Sequence, residues 1–257
     1  MLLAINANNT NCKFAIFDGE TMLGPWRSAT DPRRTADEYG VWLIQLLNIA
    51  GIERGQVRDT IIASVVPDGL YELKTFCRRY FDSEPLVIGE AAVNLGVRAT
   101  IERPEEAGAD RLVNAAEAHR HYGGPAIVVD FGTATTFDVI DGEGNYAGGV
   151  IAPGPNLSVD ALYRAAAKLP HIALKRPASV IGRATVPAMQ SGVFWGYVGL
   201  VEGIVARIKA EFGRPMKVIT TGGLAPLFAD AIPAIEHLDP DLTLRGLLHI
   251  HRLNRSS

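Results

Sequence analysis

Three short segments combine the residue types that handle phosphate, protons and cations. Asp130-Phe131-Gly132-Thr133-Ala134-Thr135-Thr136 sets an acid at the end of an apolar run and follows it with Gly-Thr. A turn of this kind exposes successive backbone N–H groups, its glycine lets a phosphate come close, and its acid can hold a cation. An ordinary Gly-Thr hairpin explains the same residues. Gly108-Ala109-Asp110-Arg111 sets a carboxylate beside a guanidinium, so the arginine can grip an anion while the aspartate accepts a proton. A surface Asp–Arg pair near a helix start reads the same way. In Thr220-Thr221-Gly222-Gly223-Leu224 the glycines leave backbone bare enough for a flat ring, although a plain strand-to-helix turn needs no ligand.

Other chemically capable residues carry less. His119 and His121 lie near a helix end without a metal-ligand set, and solvation is the expectation for both. Cys12 reads as core rather than nucleophile. The apolar helix expected over 186–212 carries Gly192, Gly196, Gly199 and Gly203 on one side. Each interior glycine weakens a helix by about 1 kcal/mol relative to alanine, so four together suggest a close helix–helix seam, internal or between subunits.

The elements that must position these groups follow from periodicity and turn signals. Strands are expected at 2–6 and 12–18, with Asp18-Gly19 as a tight turn. Thr35-Ala36-Asp37-Glu38 is a capping-box pattern, and Tyr39, Trp42, Leu43, Leu46 and Leu47 recur at helical spacing up to about residue 50. A strand at 61–66, a helix to about 80 and a strand at 86–88 complete the first half. A helix over 105–121 places acids first and histidines last, as the macrodipole favours. Strands at 126–130, 135–140 and 146–151, helices at 156–168 and 186–212, a strand at 217–221 and two further αβ pieces follow. Ile5-Asn6-Ala7-Asn8-Asn9 aligns with Val129-Asp130-Phe131-Gly132-Thr133, and each copy runs on to an Asp-Gly turn. Two βββαβαβ halves, 1–104 and 105–257, would set two polar turns facing each other across a cleft.

Composition narrows the function. The 257 residues are 47% hydrophobic and 21% charged with net charge −3, which suits a globular chain of one large or two modest domains. No basic block marks a nucleic-acid binder, and no apolar run marks a membrane span. Residues 1–7 lack the charged lead of a signal peptide, so a cytoplasmic protein is expected. Two cysteines cannot build a disulfide framework or a four-thiolate zinc site.

Taken in order, Asn9-Thr10-Asn11, Thr35-Ala36-Asp37-Glu38-Tyr39, Gly108-Ala109-Asp110-Arg111, Asp130-Phe131-Gly132-Thr133-Ala134-Thr135-Thr136, Gly148-Gly149-Val150-Ile151-Ala152-Pro153-Gly154 and Ala188-Met189-Gln190-Ser191-Gly192 resemble the type III pantothenate kinases, the Bvg accessory factor family. The resemblance covers roughly residues 1–227. It implies a duplicated ribonuclease-H-like α/β fold of the acetate and sugar kinase/Hsp70/actin class, with the nucleotide between the halves. It also implies transfer of the ATP γ-phosphoryl group to pantothenate, giving 4'-phosphopantothenate as the first step towards coenzyme A. A homodimer, Mg²⁺ or another divalent cation, and a monovalent cation, K⁺ or NH₄⁺, are implied with it. By position, Asp110 would be the base, and Gly108, Ala109 and Arg111 would help hold pantothenate, with Thr185 lining its site. Asn6-Ala7-Asn8-Asn9-Thr10-Asn11-Cys12-Lys13 would wrap the phosphates, Thr133 would contact ATP, and Asp130 would sit at the monovalent cation.

Departures from the family pattern bear on activity. Asn6 stands where a carboxylate usually orients the divalent cation. Losing a charge-assisted hydrogen bond of about 1.5–3 kcal/mol predicts roughly one to two decades of lost rate. Asn8 replaces a glycine, which a positive φ would tolerate. Ile101 stands where a pantothenate-contacting tyrosine is usual, and Ala184 replaces an asparagine. The same residues also suit a nucleotide-binding regulator that has lost turnover, or another small-acid or sugar kinase of the superfold.

Overall fold

The computed structural model describes residues 1–255. The chain forms two compact units, one built from residues 1–98, 102–117 and 243–255, the other from 99–101 and 118–242. The first contains β1 (Leu2–Ala7), β2 (Asn11–Asp18), β3 (Thr21–Ala29), α1 (Ala36–Ile49), β4 (Asp59–Ser64), α2 (Pro67–Phe81) and β5 (Leu86–Val87). Next comes α3 (Ala109–Tyr122), along which the chain passes into the second unit. That unit holds β6 (Ala126–Phe131), β7 (Ala134–Ile140), β8 (Tyr146–Pro153), α4 (Pro155–Ala165), α5 (Thr185–Phe212), β9 (Lys217–Thr221), α6 (Ala225–Phe228) and β10 (His237–Leu238). The chain returns to the first unit in α7 (Leu242–Arg255).

The first sheet runs β3-β2-β1-β4-β5, with β1 antiparallel to β2 and parallel to β4. Both faces of β1 are covered, which is why Leu2–Ile5 reads as an unbroken apolar run ahead of the buried Asn6. Leu3, Ile5, Phe14 and Ile16 pack with Tyr39, Leu43, Leu73 and Phe76 of α1 and α2. Leu2, Ala4, Ala15 and Phe17 turn the other way, onto Val113 and Ala116 of α3 and Leu244 and Leu247 of α7. Each large apolar side chain sealed in these layers contributes about 1.5–3 kcal/mol. Two polar ties fasten α3 to α7: Thr243 Oγ1 donates to Asn114 Oδ1 at 2.7 Å, and Arg245 Nε meets Glu117 Oε1 at 3.3 Å.

The second sheet, β10-β9-β6-β7-β8, repeats the first in pairing directions. Ala7 and Phe131 end equivalent strands, at the offset of 124 that the sequence repeat gives. Along β6, Ile127, Val129 and Phe131 meet Phe194, Tyr197, Val201 and Val205 of α5, and Phe228 stacks between Phe131 and Phe194 at 5.0 and 5.2 Å. The 28-residue α5 is long and apolar enough to cross a bilayer, yet this row of side chains belongs to the core of the unit.

Thr35 caps α1 as expected, with both halves of the capping box made. Several local expectations differ from the structure. α3 begins at Ala109 rather than 105, because Pro104–Glu106 forms a separate 3₁₀ turn. The strand expected at 61–66 lies at Asp59–Ser64, and the helix expected at 156–168 runs over Pro155–Ala165. His119 is not solvated: it is half-buried under the Asp141–Asn145 turn against Gly144, with Nδ1 shielded from water and without a partner.

Candidate functional site

Chain parity distributes the residues of the first polar turn. Strand neighbours alternate between faces, and directly opposed residues share one. Asn6 lies opposite Lys13, and both belong to the face of β1 and β2 covered by α3. Ala7 and Cys12, also opposed, belong to the α1–α2 side. The Cys12 thiol sits 3.9 Å from the Tyr39 hydroxyl and 3.5 Å from Thr30 Oγ1, so only its backbone is available to the turn.

Between the strands, Asn8, Asn9 and Thr10 form the turn, closed by the Asn8 N–H donating to the Asn11 carbonyl at 3.1 Å. Thr30 fastens it from the end of β3, its hydroxyl donating to the Asn8 carbonyl at 2.6 Å and its N–H to the Thr10 carbonyl at 3.0 Å. Asn8 does not adopt a positive φ; among the described residues Asp82 is the one non-glycine that does. Replacing glycine at position 8 therefore imposes no backbone strain. Asn6, at 2% exposure, and Asn8 each hold an Oδ1 that is shielded from water and accepts no hydrogen bond. An acceptor so placed is costly unless a donor reaches it.

The Asp110-Arg111 pair comes to the same corner of this unit. The Val65 N–H, just past β4, donates to the Ala7 carbonyl at 3.0 Å. Val65 Cγ1 in turn lies 3.8 Å from the position a Gly108 side chain would take. These two contacts join the end of β1 to the start of α3, and thus the polar turn to Asp110. Asp110 Oδ1 accepts the Arg111 N–H at 2.9 Å. Burial pushes the Asp110 carboxyl above its ordinary value, against the opposing pull of Arg111. A carboxylate held this way is a better proton acceptor than a solvated one.

In the second unit, Asp130, Gly132 and Thr133 lie at the β6–β7 turn. Gly154, at the end of the Gly148-Gly149 motif, packs under it: its N–H donates to the Thr133 carbonyl at 3.0 Å, and any side chain there would strike the Gly132 and Thr133 carbonyls. Gly222, at φ +96°, presses as closely on Asp130 and the Phe131 backbone, whereas Gly223 faces open space. The Asp130 acid, the Thr133 turn and the Gly222 backbone are thus neighbours.

Thr185 is exposed at the first turn of α5 and borders a cavity of about 690 Å³ between α4 and α5. Leu162, Met189, Gly192, Val193 and Gly196 make its wall apolar. One polar relay crosses it: Tyr197 donates to the Pro153 carbonyl at 2.7 Å while its oxygen meets the Ser158 hydroxyl at 2.5 Å. Gly192, Gly196 and Gly199 have no atom within 4 Å of a notional side chain, so no helix of this chain closes on them. Sequence reasoning overlooked Val65 and Thr30, the two residues that tie the first turn in place. Neither carries a chemical signature, and only the 22-residue spacing between Asn8 and Thr30 across two hairpins could have hinted at one of them.

Comparison with known proteins agrees with these motifs. The family model for type III pantothenate kinase matches residues 2–207. The type III pantothenate kinase of Paramagnetospirillum magneticum is 65% identical over 99% of this chain and 98% of its own. Those of Rhodospirillum rubrum and Caulobacter vibrioides are 61% and 58% identical, each over 99% of this chain and 99% and 98% of their own. Among solved structures, a Baf family transcriptional activator from Campylobacter jejuni aligns with a TM-score of 0.61 at 18% identity, over 99% of this chain and 100% of its own. The ADPNP-bound activator of 2-hydroxyisocaproyl-CoA dehydratase from Clostridium difficile aligns at 0.58 and 12%, over 99% and 96%. At such identities the structures speak for the fold alone, that of the acetate and sugar kinase/Hsp70/actin class. Sequence match and duplicated fold together make this chain a member of the type III pantothenate kinase family, an enzyme that phosphorylates pantothenate with ATP on the way to coenzyme A.

Proposed function

We propose that Asp110 is the base of this kinase and that the β1–β2 turn, residues 6–13, receives the ATP phosphates. The supporting observation is the pair of contacts running from Ala7 through Val65 to Gly108, which gathers turn and carboxylate at one corner of the first sheet. Asp110 accepts the proton of the pantothenate primary hydroxyl as its oxygen attacks the γ-phosphorus and ADP departs. Arg111, with the Gly108 and Ala109 backbone, holds the anionic substrate, and Thr185 lines its site. Phosphoryl transfer asks little more of the protein than this positioning and charge neutralisation.

ATP and a divalent cation are the family's requirements. The residues present fit that cation: the unpartnered Asn6 Oδ1 is an acceptor suited to a water of its hydration shell. When bound, it neutralises charge on the transferring phosphate. Asp130, with Thr133 beside it, is the proposed site for K⁺ or NH₄⁺, and Thr133 the proposed ATP contact.

The open glycine face of α5 supports a homodimer through the α4–α5 surface, where Leu157, Leu162, Tyr163 and Val186 are also exposed. Exposed apolar area that continuous marks an interaction site. A chain of 27.6 kDa should then elute at twice that mass, and Gly196→Glu should halve it. The cytoplasm, with its ATP and reducing conditions, suits the reaction and the two free buried cysteines. A crystal structure with pantothenate and a non-hydrolysable ATP analogue tests the site. The primary hydroxyl should lie about 2.6–3.2 Å from Asp110, and its approach to another base would overturn the assignment.

A further inference from the structure

A cavity of about 400 Å³ opens on the first unit, at the end of the sheet opposite the polar turn. Its wall comes from the 3₁₀ turn Arg54–Gln56, from Arg58 just ahead of β4, and from the last turn of α2. The Arg58 N–H donates to the Met1 carbonyl at 3.1 Å, which ties this wall to the start of β1. Leu2 pairs with Asp59 at this end and Ala7 with Ser64 at the other, so about 17 Å of strand, at 3.3 Å per residue, lies between cavity and turn. The wall carries the guanidiniums of Arg54, Arg58 and Arg79 and one carboxylate, that of Asp82. Asp37 answers Arg79: its Oδ1 lies 2.8 Å from Nη1 and also accepts the Tyr80 hydroxyl at 2.7 Å. Among the described residues, the side chains of Arg54, Arg58 and Asp82 make no hydrogen bond or ion pair. The acids nearest in sequence, Glu53, Asp59 and Glu84, lie off the wall, with Asp59 held by Arg255 and Glu84 by Arg78.

Two uncommitted cations therefore face one uncommitted anion around an open recess. Gly55 between the arginines has no atom within 4 Å of a notional side chain, which leaves them room to converge on a ligand. The carbonyls at the end of α2 add little negative charge, because the Asp82 and Ser83 N–H groups donate to those of Arg78 and Cys77 at 3.1 and 3.4 Å. A planar guanidinium matches two phosphate oxygens at once, and two guanidiniums cover a terminal phosphate. Asp82 narrows the ligand further, since a carboxylate beside an anion needs a donor, and a hydroxyl supplies one. We propose that this cavity is a second ligand site, separate from residues 6–13, which takes a phosphomonoester bearing a free hydroxyl. Arg54 and Arg58 hold the phosphate, Asp82 accepts from the hydroxyl, and Arg79, tied back by Asp37, forms the fixed positive wall. A ribonucleoside monophosphate and the product 4'-phosphopantothenate share this chemistry.

Calorimetry on the full chain tests this, with the active site filled by pantothenate and a non-hydrolysable ATP analogue. Ribose 5-phosphate should bind once per chain with a Kd of about 1 mM or tighter, and methyl phosphate, which lacks a hydroxyl, about fivefold more weakly. Arg54→Met and Arg58→Met should each weaken ribose 5-phosphate about tenfold, the loss of one charge-assisted hydrogen bond. Position 82 has φ +51°, which glycine adopts freely, so Asp82→Gly removes the carboxylate without straining the helix end. In that variant the two probes should bind within about twofold of each other. AMP and 4'-phosphopantothenate, titrated in the same way, separate the sources: the one whose affinity falls in both arginine variants is the ligand the site serves. Failure of ribose 5-phosphate to bind, a Kd that both arginine variants leave unchanged, or methyl phosphate bound as tightly as ribose 5-phosphate by the wild-type protein would overturn the proposal.

Discussion

Asp110→Asn separates base chemistry from every other role of that side chain. In the structure Oδ1 already accepts the Arg111 N–H at 2.9 Å. Asparagine keeps this acceptor and the shape of the side chain, but places an N–H donor where the second carboxylate oxygen would take a proton. ATP affinity should therefore change little. Loss of a positioned base costs about 10²–10⁴ in rate, which is roughly 2.7–5.5 kcal/mol of barrier. The assay is pantothenate-dependent ADP release, with kcat and KM determined from pH 5 to pH 9. Burial raises the Asp110 carboxyl above 3.8, so the acid limb of the wild-type profile should lie above that value and vanish in the variant. Stability should move in the opposite sense to activity. A carboxyl whose folded pKa is raised binds its proton more readily folded than unfolded, and the stability this confers is lost as pH rises through the folded pKa. At pH 7 the substitution removes an ionised group that burial disfavours, so Tm should hold or rise. A loss of rate below about tenfold, or an acid limb that survives, would refute the reasoning.

Other perturbations probe the supports of the site. Glu117 is fully buried against Arg245, and Glu117→Ala should lower unfolding free energy by about 3 kcal/mol, the lower end for such pairs because Arg245 reaches solvent. Urea melts within about 1 kcal/mol of wild type would contradict that. Gly222→Ala adds a methyl that collides with Asp130 at a left-handed backbone position, so it should reduce the ratio of rates in K⁺ and in Na⁺ far more than it changes the KM for pantothenate. An unaltered ratio would remove Asp130 from the cation site. His251 is held below its ordinary 6.5 by burial, with Arg252, Arg255 and the amino terminus acting in the same sense and Asp59 opposing them. A depressed histidine contributes stability that is present above its unfolded pKa and is lost as pH falls through the folded one. His251→Gln should accordingly lose less Tm than wild type between pH 7.5 and pH 5, and equal losses would assign acid sensitivity elsewhere.

What could be read from the sequence was what is local or repeated. Thr35 and Glu38 lie within one helical turn of each other, so the α1 cap needed nothing distant. The Asn6 and Asp130 strands could be aligned because each must carry a buried run into a polar turn and then an Asp-Gly hairpin. The limits of β3 were obscured because Gly24-Pro25 breaks its alternation and the bulge opposite Phe14 shifts its parity. Val65 was invisible because an aliphatic residue after a strand signals only burial, while its role comes from a backbone bond to Ala7 and a contact with Gly108, 43 residues on. His119 was misjudged because a histidine in a last helical turn is ordinarily wet, and the covering Gly144 turn comes from a hairpin 25 residues later. The glycines of α5 announced a close approach but not its partner, and the structure narrows that choice by leaving them open.

Transfer of the γ-phosphoryl group to pantothenate is the central event, and product stoichiometry tests it most directly. In K⁺ buffer with ATP, Mg²⁺ and pantothenate, ADP and 4'-phosphopantothenate should accumulate one for one by mass spectrometry, with no ADP formed when pantothenate is omitted. ATP bound without pantothenate-dependent turnover, or a sugar hydroxyl phosphorylated in preference to that of pantothenate, would contradict it.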